Sequence, residues 1–359
     1  MTDTVAFSLS IMLLFAYIKD NVAGILLLTL ILAFTWPMGY YQGILLIAFP
    51  YRHMSFTSFG KAARITLAIL SVLLFLAAFV YVILINKADT DLIFVPKIEQ
   101  GLLPYSVMFV SLIYLGFARL FFNKEIFNVG YFIKSLDLKR IVLALITFTA
   151  VTFFISMLDL PPSKIYKVSA VLENPIVHSL VRPLLSIVSH YSFYGIALCM
   201  IIIFWRDISI KVSRSGWALI AAIALNLYLF GIMPESRMLI NLFPWLVIFL
   251  IYSINDHNLS NTFYVVTACL CLAASKIWLL IDYEMDYDLG LVTDANGSLD
   301  FPNQRFYMNL GPWMSEKAYY LHGAAMIISF LILFFMIYKI TFSKENKLKI
   351  ELRSVKAKI

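Results

Sequence analysis

The stretch from Ile65 to Ile85 carries no charged side chain in 21 residues, and it constrains the fold of this chain more than any other feature. As a helix it is long enough to cross roughly 30 Å of hydrocarbon. Nine more apolar runs accompany it, at about 5–18, 22–49, 105–122, 141–158, 183–205, 216–233, 238–254, 262–281 and 321–342. Of 359 residues, 62% are hydrophobic and 14% charged, more apolar surface than a soluble domain of this size can bury. The sequence therefore predicts an all-α, polytopic membrane protein of about ten transmembrane helices. The first run is not expected to be a cleaved signal peptide, because it lacks a basic leading region and passes directly into the second.

The second run is interrupted at Trp36-Pro37, where proline removes a helix hydrogen bond and predicts a kink or a break. Residues 39–50 then read as a re-entrant or interfacial piece, which leaves the count between nine and eleven spans. With both termini placed in the cytoplasm, the inside loops hold 18 of the 28 Lys and Arg residues. The outside segments hold nine and Lys276 falls within a span, an imbalance that follows the positive-inside rule. The expected organisation is one helical membrane domain over 1–343 and a basic cytoplasmic tail over 344–359. Non-cytoplasmic loops fall near 87–104, 159–182 and 282–320, and short outside turns at Lys19–Asn21 and Pro234–Arg237.

The net charge of +7 does not indicate a nucleic-acid partner, because the basic residues lie in loops between spans. The expected partners are membrane lipid and a lipid-linked substrate. Cys199, Cys269 and Cys271 all lie in apolar runs and read as packing residues. No P-loop, Rossmann glycine pattern, Ser-His-Asp order or His/Cys metal spacing is present, which argues against an ATP-driven pump.

Polar residues that carry chemistry concentrate at the outside segments. Glu235 and Arg237 occupy a very short gap between two apolar runs, where each unpaired charge costs several kcal/mol. They read either as a structural ion pair tying two helices together or as an anion site, since the planar fork of Arg237 suits phosphate oxygens. His178 and Arg182 are four residues apart and share a helix face. They read as a hydrated pair or as a second anion site at a helix start. His190 lies deeper in the same run, beside Tyr191 and Tyr194. Asp282 and Glu284 lead an acidic stretch and could act as a base or coordinate a divalent cation with a phosphate. The 294–300 segment has only part of a calcium-loop pattern and reads as a solvated turn. Arg305 follows within an aromatic-rich segment that ends near His322. Such a segment suits a membrane-interface belt, or a surface for sugar rings and prenyl chains.

Glu235, Arg237 and Pro244 keep the spacing of a motif of the form Glu-x-Arg-Phe-Leu-x-Pro-x-x-Pro, with Asn241 in place of the first proline. Over about fifteen residues the chain here resembles membrane glycosyltransferases of the GT-C class, which use polyprenyl-phosphate-linked sugars. That resemblance implies sugar transfer at the non-cytoplasmic face, with Arg237 and Arg182 holding the phosphate. One of Asp20, Glu235 or Asp282 would deprotonate the acceptor. GT-C enzymes resemble one another in a long first outer loop with a catalytic acid. Here that loop is only Lys19-Asp20-Asn21, and Asp20 is its acidic candidate. A bacterial inner-membrane enzyme of glycan or envelope biosynthesis is the expectation. The alternatives are a carrier or flippase for a lipid-linked or anionic substrate, or a non-catalytic membrane subunit.

Overall fold

A computed structural model describes residues 2–51, 101–122, 136–158, 170–257, 259–274, 292–293, 299–300 and 316–356, with 69, 73, 77 and 80. Thirteen α-helices are described: α1 Thr2–Ile18, α2 Val22–Thr35, α3 Pro37–Ala48, α4 Leu103–Ala118, α5 Leu138–Leu158, α6 Ala170–Leu180, α7 Leu185–Tyr194, α8 Ile196–Ile203, α9 Trp205–Arg214, α10 Trp217–Phe230, α11 Phe243–Asn255, α12 Asn261–Ala274 and α13 Glu316–Lys356. Two 3-10 turns, Arg119–Phe122 and Ser236–Leu239, join them. A two-residue antiparallel pair couples β1 Val292–Thr293 to β2 Leu299–Asp300. The architecture is mostly helical. By length and composition, Leu138–Leu158 and Ala318–Tyr338 can each cross a membrane alone. Most of the other apolar helices are shorter. The apolar run 65–86 lies almost wholly outside the described residues.

The break at Pro37 is a full turn rather than a kink. Trp36 adopts an extended conformation, and Pro37 opens α3 at the first helical position, where its missing N–H leaves no bond unmade. The helices on either side fold against each other. Gly39 faces Leu32 and Gly43 faces Thr29, and a Cβ at Gly43 would overlap Thr29. Tyr51, just past α3, meets the Tyr17 ring edge-on at 5.4 Å. The chain thus returns to the end of the molecule where α1 finished. Helices of 14 and 12 residues extend about 21 and 18 Å. Neither reaches across roughly 30 Å of hydrocarbon.

That turn corrects the topology expected from the sequence. Lys19–Asn21 and residues 119–140 were assigned to opposite sides. The Arg140 guanidinium nevertheless donates to Asp20 Oδ1 at 2.7 Å. At the other end of α1, Asp3 lies close enough to Glu235 for its charge to perturb that carboxyl. The start of α1 therefore sits at the Glu235 edge and its end at the basic edge. A turn at Pro37 adds a reversal of direction that a kinked single span lacks.

The apolar run at 183–205 also differs from a straight span. It divides at Gly195, whose φ of 63° is readily adopted only by a residue without a Cβ. The axes of α7 and α8 differ by 120°. The main core gathers α1–α3, α5 and α7–α13, with Trp245, Tyr17 and Phe263 among its largest enclosed side chains. A smaller cluster joins Ile176, Val177 and Leu180 of α6 to Val110 and Tyr114 of α4.

A candidate anion site at the 231–237 turn

One face of α7 holds this site in place. Ser186, Ser189, His190 and Tyr194 follow helical spacing and project together. Each meets the turn between α10 and the Ser236–Leu239 segment. Ser186 Oγ donates to the Ile232 carbonyl and Ser189 Oγ to the Pro234 carbonyl. His190 Nε2 lies 3.1 Å from the Gly231 carbonyl, which can only accept, so Nε2 carries the proton. In the neutral ring Nδ1 is then the acceptor, and it receives the Ser236 hydroxyl at 3.0 Å. Tyr194 donates to the Ser236 carbonyl at 2.7 Å. Its ring stacks on Phe243 at 3.7 Å between centroids. A glycine- and proline-containing turn with few internal bonds is thus fixed by a neighbouring helix.

Ser236 is flanked by the two charged residues. Arg237 Nε donates to Glu235 Oε1. The partners differ in setting: the Glu235 side chain is 9% exposed and that of Arg237 41%. Burial raises the Glu235 carboxyl above its ordinary value of 4.5. The Arg237 charge and hydrogen bond oppose that rise, and the Asp3 charge adds to it. Because the pair uses Nε, the two terminal nitrogens of the half-exposed guanidinium remain available, among the described residues, to a second anion.

Asn241 is a structural residue. Its carbonyl accepts from Ser10 Oγ, and its amide reaches Asn226 Oδ1 at 3.4 Å. Trp245 Nε1 closes the link by donating to the Ser10 carbonyl at 2.8 Å. The Ser10 and Trp245 bonds tie the start of α11 to the middle of α1, and the Asn241 amide adds a link to α10 that a proline side chain could not supply.

An apolar cavity of about 420 Å³ adjoins the turn. Its wall includes Gly231 and Leu239, which bracket the charged pair, and His190 and Tyr194, which bond Ser236. The remaining lining comes chiefly from α4, α8 and α11 and is almost wholly aliphatic or aromatic.

The other expected site residues are dispersed. Asp20 is the largest correction, since it pairs with Arg140 at the opposite end of α1 from Asp3. A 17-residue helix separates those ends by about 25 Å. Asp20 also adopts a φ of 52°, a left-handed conformation that aspartate tolerates, and this shapes the α1–α2 turn. It therefore does not belong to the Glu235 site. His178 is buried on α6. The Arg182 guanidinium lies 5.6 Å from the Tyr319 ring centre, and Tyr319 donates to the Pro183 carbonyl at 2.6 Å. His322 is buried one helical turn further along α13. Asp282, Glu284, Arg305 and Lys276 lie outside the described residues, and with them the basis for a divalent cation. Among the described residues no group of three His, Cys, Asp or Glu side chains is placed to hold a metal. Cys199 is buried, whereas Cys269 and Cys271 are exposed and are not core packing residues.

Sequence reasoning missed Ser186, Ser189, Ser236 and the cavity. A serine every three or four residues beside an apolar run was the available signal, but it does not name the partner segment. Compared with protein-family models, curated proteins and solved structures, the chain matches none.

Proposed function

We propose that this chain is a polytopic membrane enzyme that transfers a sugar from a lipid-phosphate donor. Arg237 would bind the phosphate and Glu235 would orient the guanidinium or accept the proton of the acceptor hydroxyl. The observation that carries this reading is the juxtaposition of a half-exposed guanidinium, a buried carboxylate and a large apolar cavity at one turn. A lipid phosphate needs a cationic fork for its head and apolar walls for its chain. A raised carboxyl pKa also suits a group that takes up a proton during reaction. In this reading the edge carrying Arg119, Arg140, Arg206, Lys211 and Arg214 faces the cytoplasm. The 231–237 turn and the start of α1 face away from it, in a bacterial inner membrane.

The test is transfer from a radiolabelled polyprenyl-phosphate sugar by purified protein in lipid vesicles. Arg237→Ala and Glu235→Gln should each abolish transfer while helicity and size-exclusion profile stay intact. Unchanged transfer in both variants would remove the proposal. Loss of counterflow uptake by a protein that never transfers sugar would instead establish the carrier reading.

A further inference from the structure

We infer that the cavity between α4, α8 and α11 seats the first part of the donor's hydrocarbon chain and sets which chains the protein accepts. The inference rests on the reading that Arg237 holds the phosphate of that donor. The cavity adjoins the turn that carries Arg237 through Gly231 and Leu239, and its wall also includes Leu198, Leu246, Gly116 and Trp205. Two of its lining residues are also exposed on the outer surface, Leu112 by 53% and Ile202 by 40%. The opening therefore lies on an apolar face between α4 and α8, where a chain can enter sideways from surrounding lipid. No charged side chain lines the space. The polar groups nearest the head, on His190 and Tyr194, are engaged by the turn. A cationic group on the turn beside an apolar cavity matches an anionic lipid rather than a soluble nucleotide.

A chain carbon fills about as much space as a liquid water molecule, roughly 30 Å³. At about 420 Å³, the cavity has room for a hydrocarbon segment of on the order of ten or more carbons. A chain that enters it leaves another apolar medium, so burial from water supplies no driving force. Selectivity must come from van der Waals contact with Phe109, Phe117 and the aliphatic walls. The dependence on chain length is therefore expected to be moderate and to saturate.

Donors of one head group and chains of about five to about twenty carbons should be compared at equal mole fraction in vesicles. We expect kcat/KM to rise several-fold with chain length and then to level off once the cavity is filled. Leu198→Trp and Ile113→Trp fill the space from opposite walls. Each should raise KM for the long donor about tenfold and for the short donor by less. A diazirine-bearing alkyl phosphate on the wild-type protein should label peptides containing Ile113, Leu198 or Leu246, with competition by the long-chain phosphate. Labelling confined to the outward faces of α5 and α13 would overturn the inference. So would transfer that proceeds with no dependence on chain length. In the latter case the proposed function stands. Competed labelling inside the cavity without transfer from any donor would support the chain seat and remove the transferase reading.

Discussion

Two arginine–carboxylate pairs among the described residues differ in almost everything except their chemistry. Glu235 and Arg237 are two residues apart, in a turn clamped by α7, and the carboxylate is buried. Asp20 and Arg140 are 120 residues apart, and there the carboxylate is half exposed and the arginine largely enclosed. Burial determines what each pair can do. A carboxylate removed from water takes up a proton more readily and depends on its cation, whereas one facing solvent keeps its hydration and gains little from pairing. The first pair is suited to binding and proton transfer. The second joins two helix ends and shows which ends of the chain belong together.

The sharpest way to break this contrast is to delete the arginine of the buried pair. Removing one partner of a buried ion pair costs about 3–5 kcal/mol, and the half-exposed Arg237 places this case at the low end. Arg237→Ala should lower the unfolding midpoint measurably in detergent and reduce transfer by at least about a hundredfold, the loss typical of a deleted charge-stabilising donor.

A smaller effect is expected from the clamp. His190→Ala leaves the Ser236 hydroxyl and the Gly231 carbonyl without their buried partner, at about 1–3 kcal/mol. Because His190 positions the turn through Ser236, kcat should fall more than KM rises. His190→Gln retains donor and acceptor groups and should recover part of the loss. Wild-type activity in His190→Ala would show that the turn needs no support from the His190 ring.

The pH dependence sharpens the comparison further. Folded Glu235 binds its proton more tightly than an unfolded carboxyl with the ordinary value of 4.5. Its contribution is therefore fully present below that value and is lost as pH rises through the higher folded value. Thermal unfolding followed from pH 4 upward should show this decline in wild type, and Glu235→Gln should flatten it.

The smallest change is predicted for Asp20→Asn. Pairs with an exposed partner contribute about 0–1 kcal/mol, so stability should shift slightly and transfer not at all. A large loss of transfer in Asp20→Asn would abolish the distinction between the two regions.

Particular elements show why some of this was legible in the sequence. The uncharged run ending at Leu158 and the break at Pro37 follow from local chemistry, which is written in consecutive residues. The side on which Asp20 sits does not. Kink and hairpin use the same Trp36-Pro37 signal, and the choice depends on Gly39 and Gly43 packing against Leu32 and Thr29. The bend at Gly195 was hidden in the same way, inside a run whose hydropathy never falters. Glu235 and Arg237 stood out because charge between apolar runs is conspicuous. Their support from Ser186, Ser189 and His190 did not, because it joins segments some 40 residues apart.

By itself the sequence determined the solvent in which these helices live and the turn at which charge enters it. Both are consequences of transfer free energies that act residue by residue. Only the tertiary structure decided which edge each end of α1 occupies, which helix clamps the 231–237 turn, and that a cavity adjoins it. Those outcomes depend on packing between distant segments, and the physical reason they escape sequence is that close contact is a property of pairs.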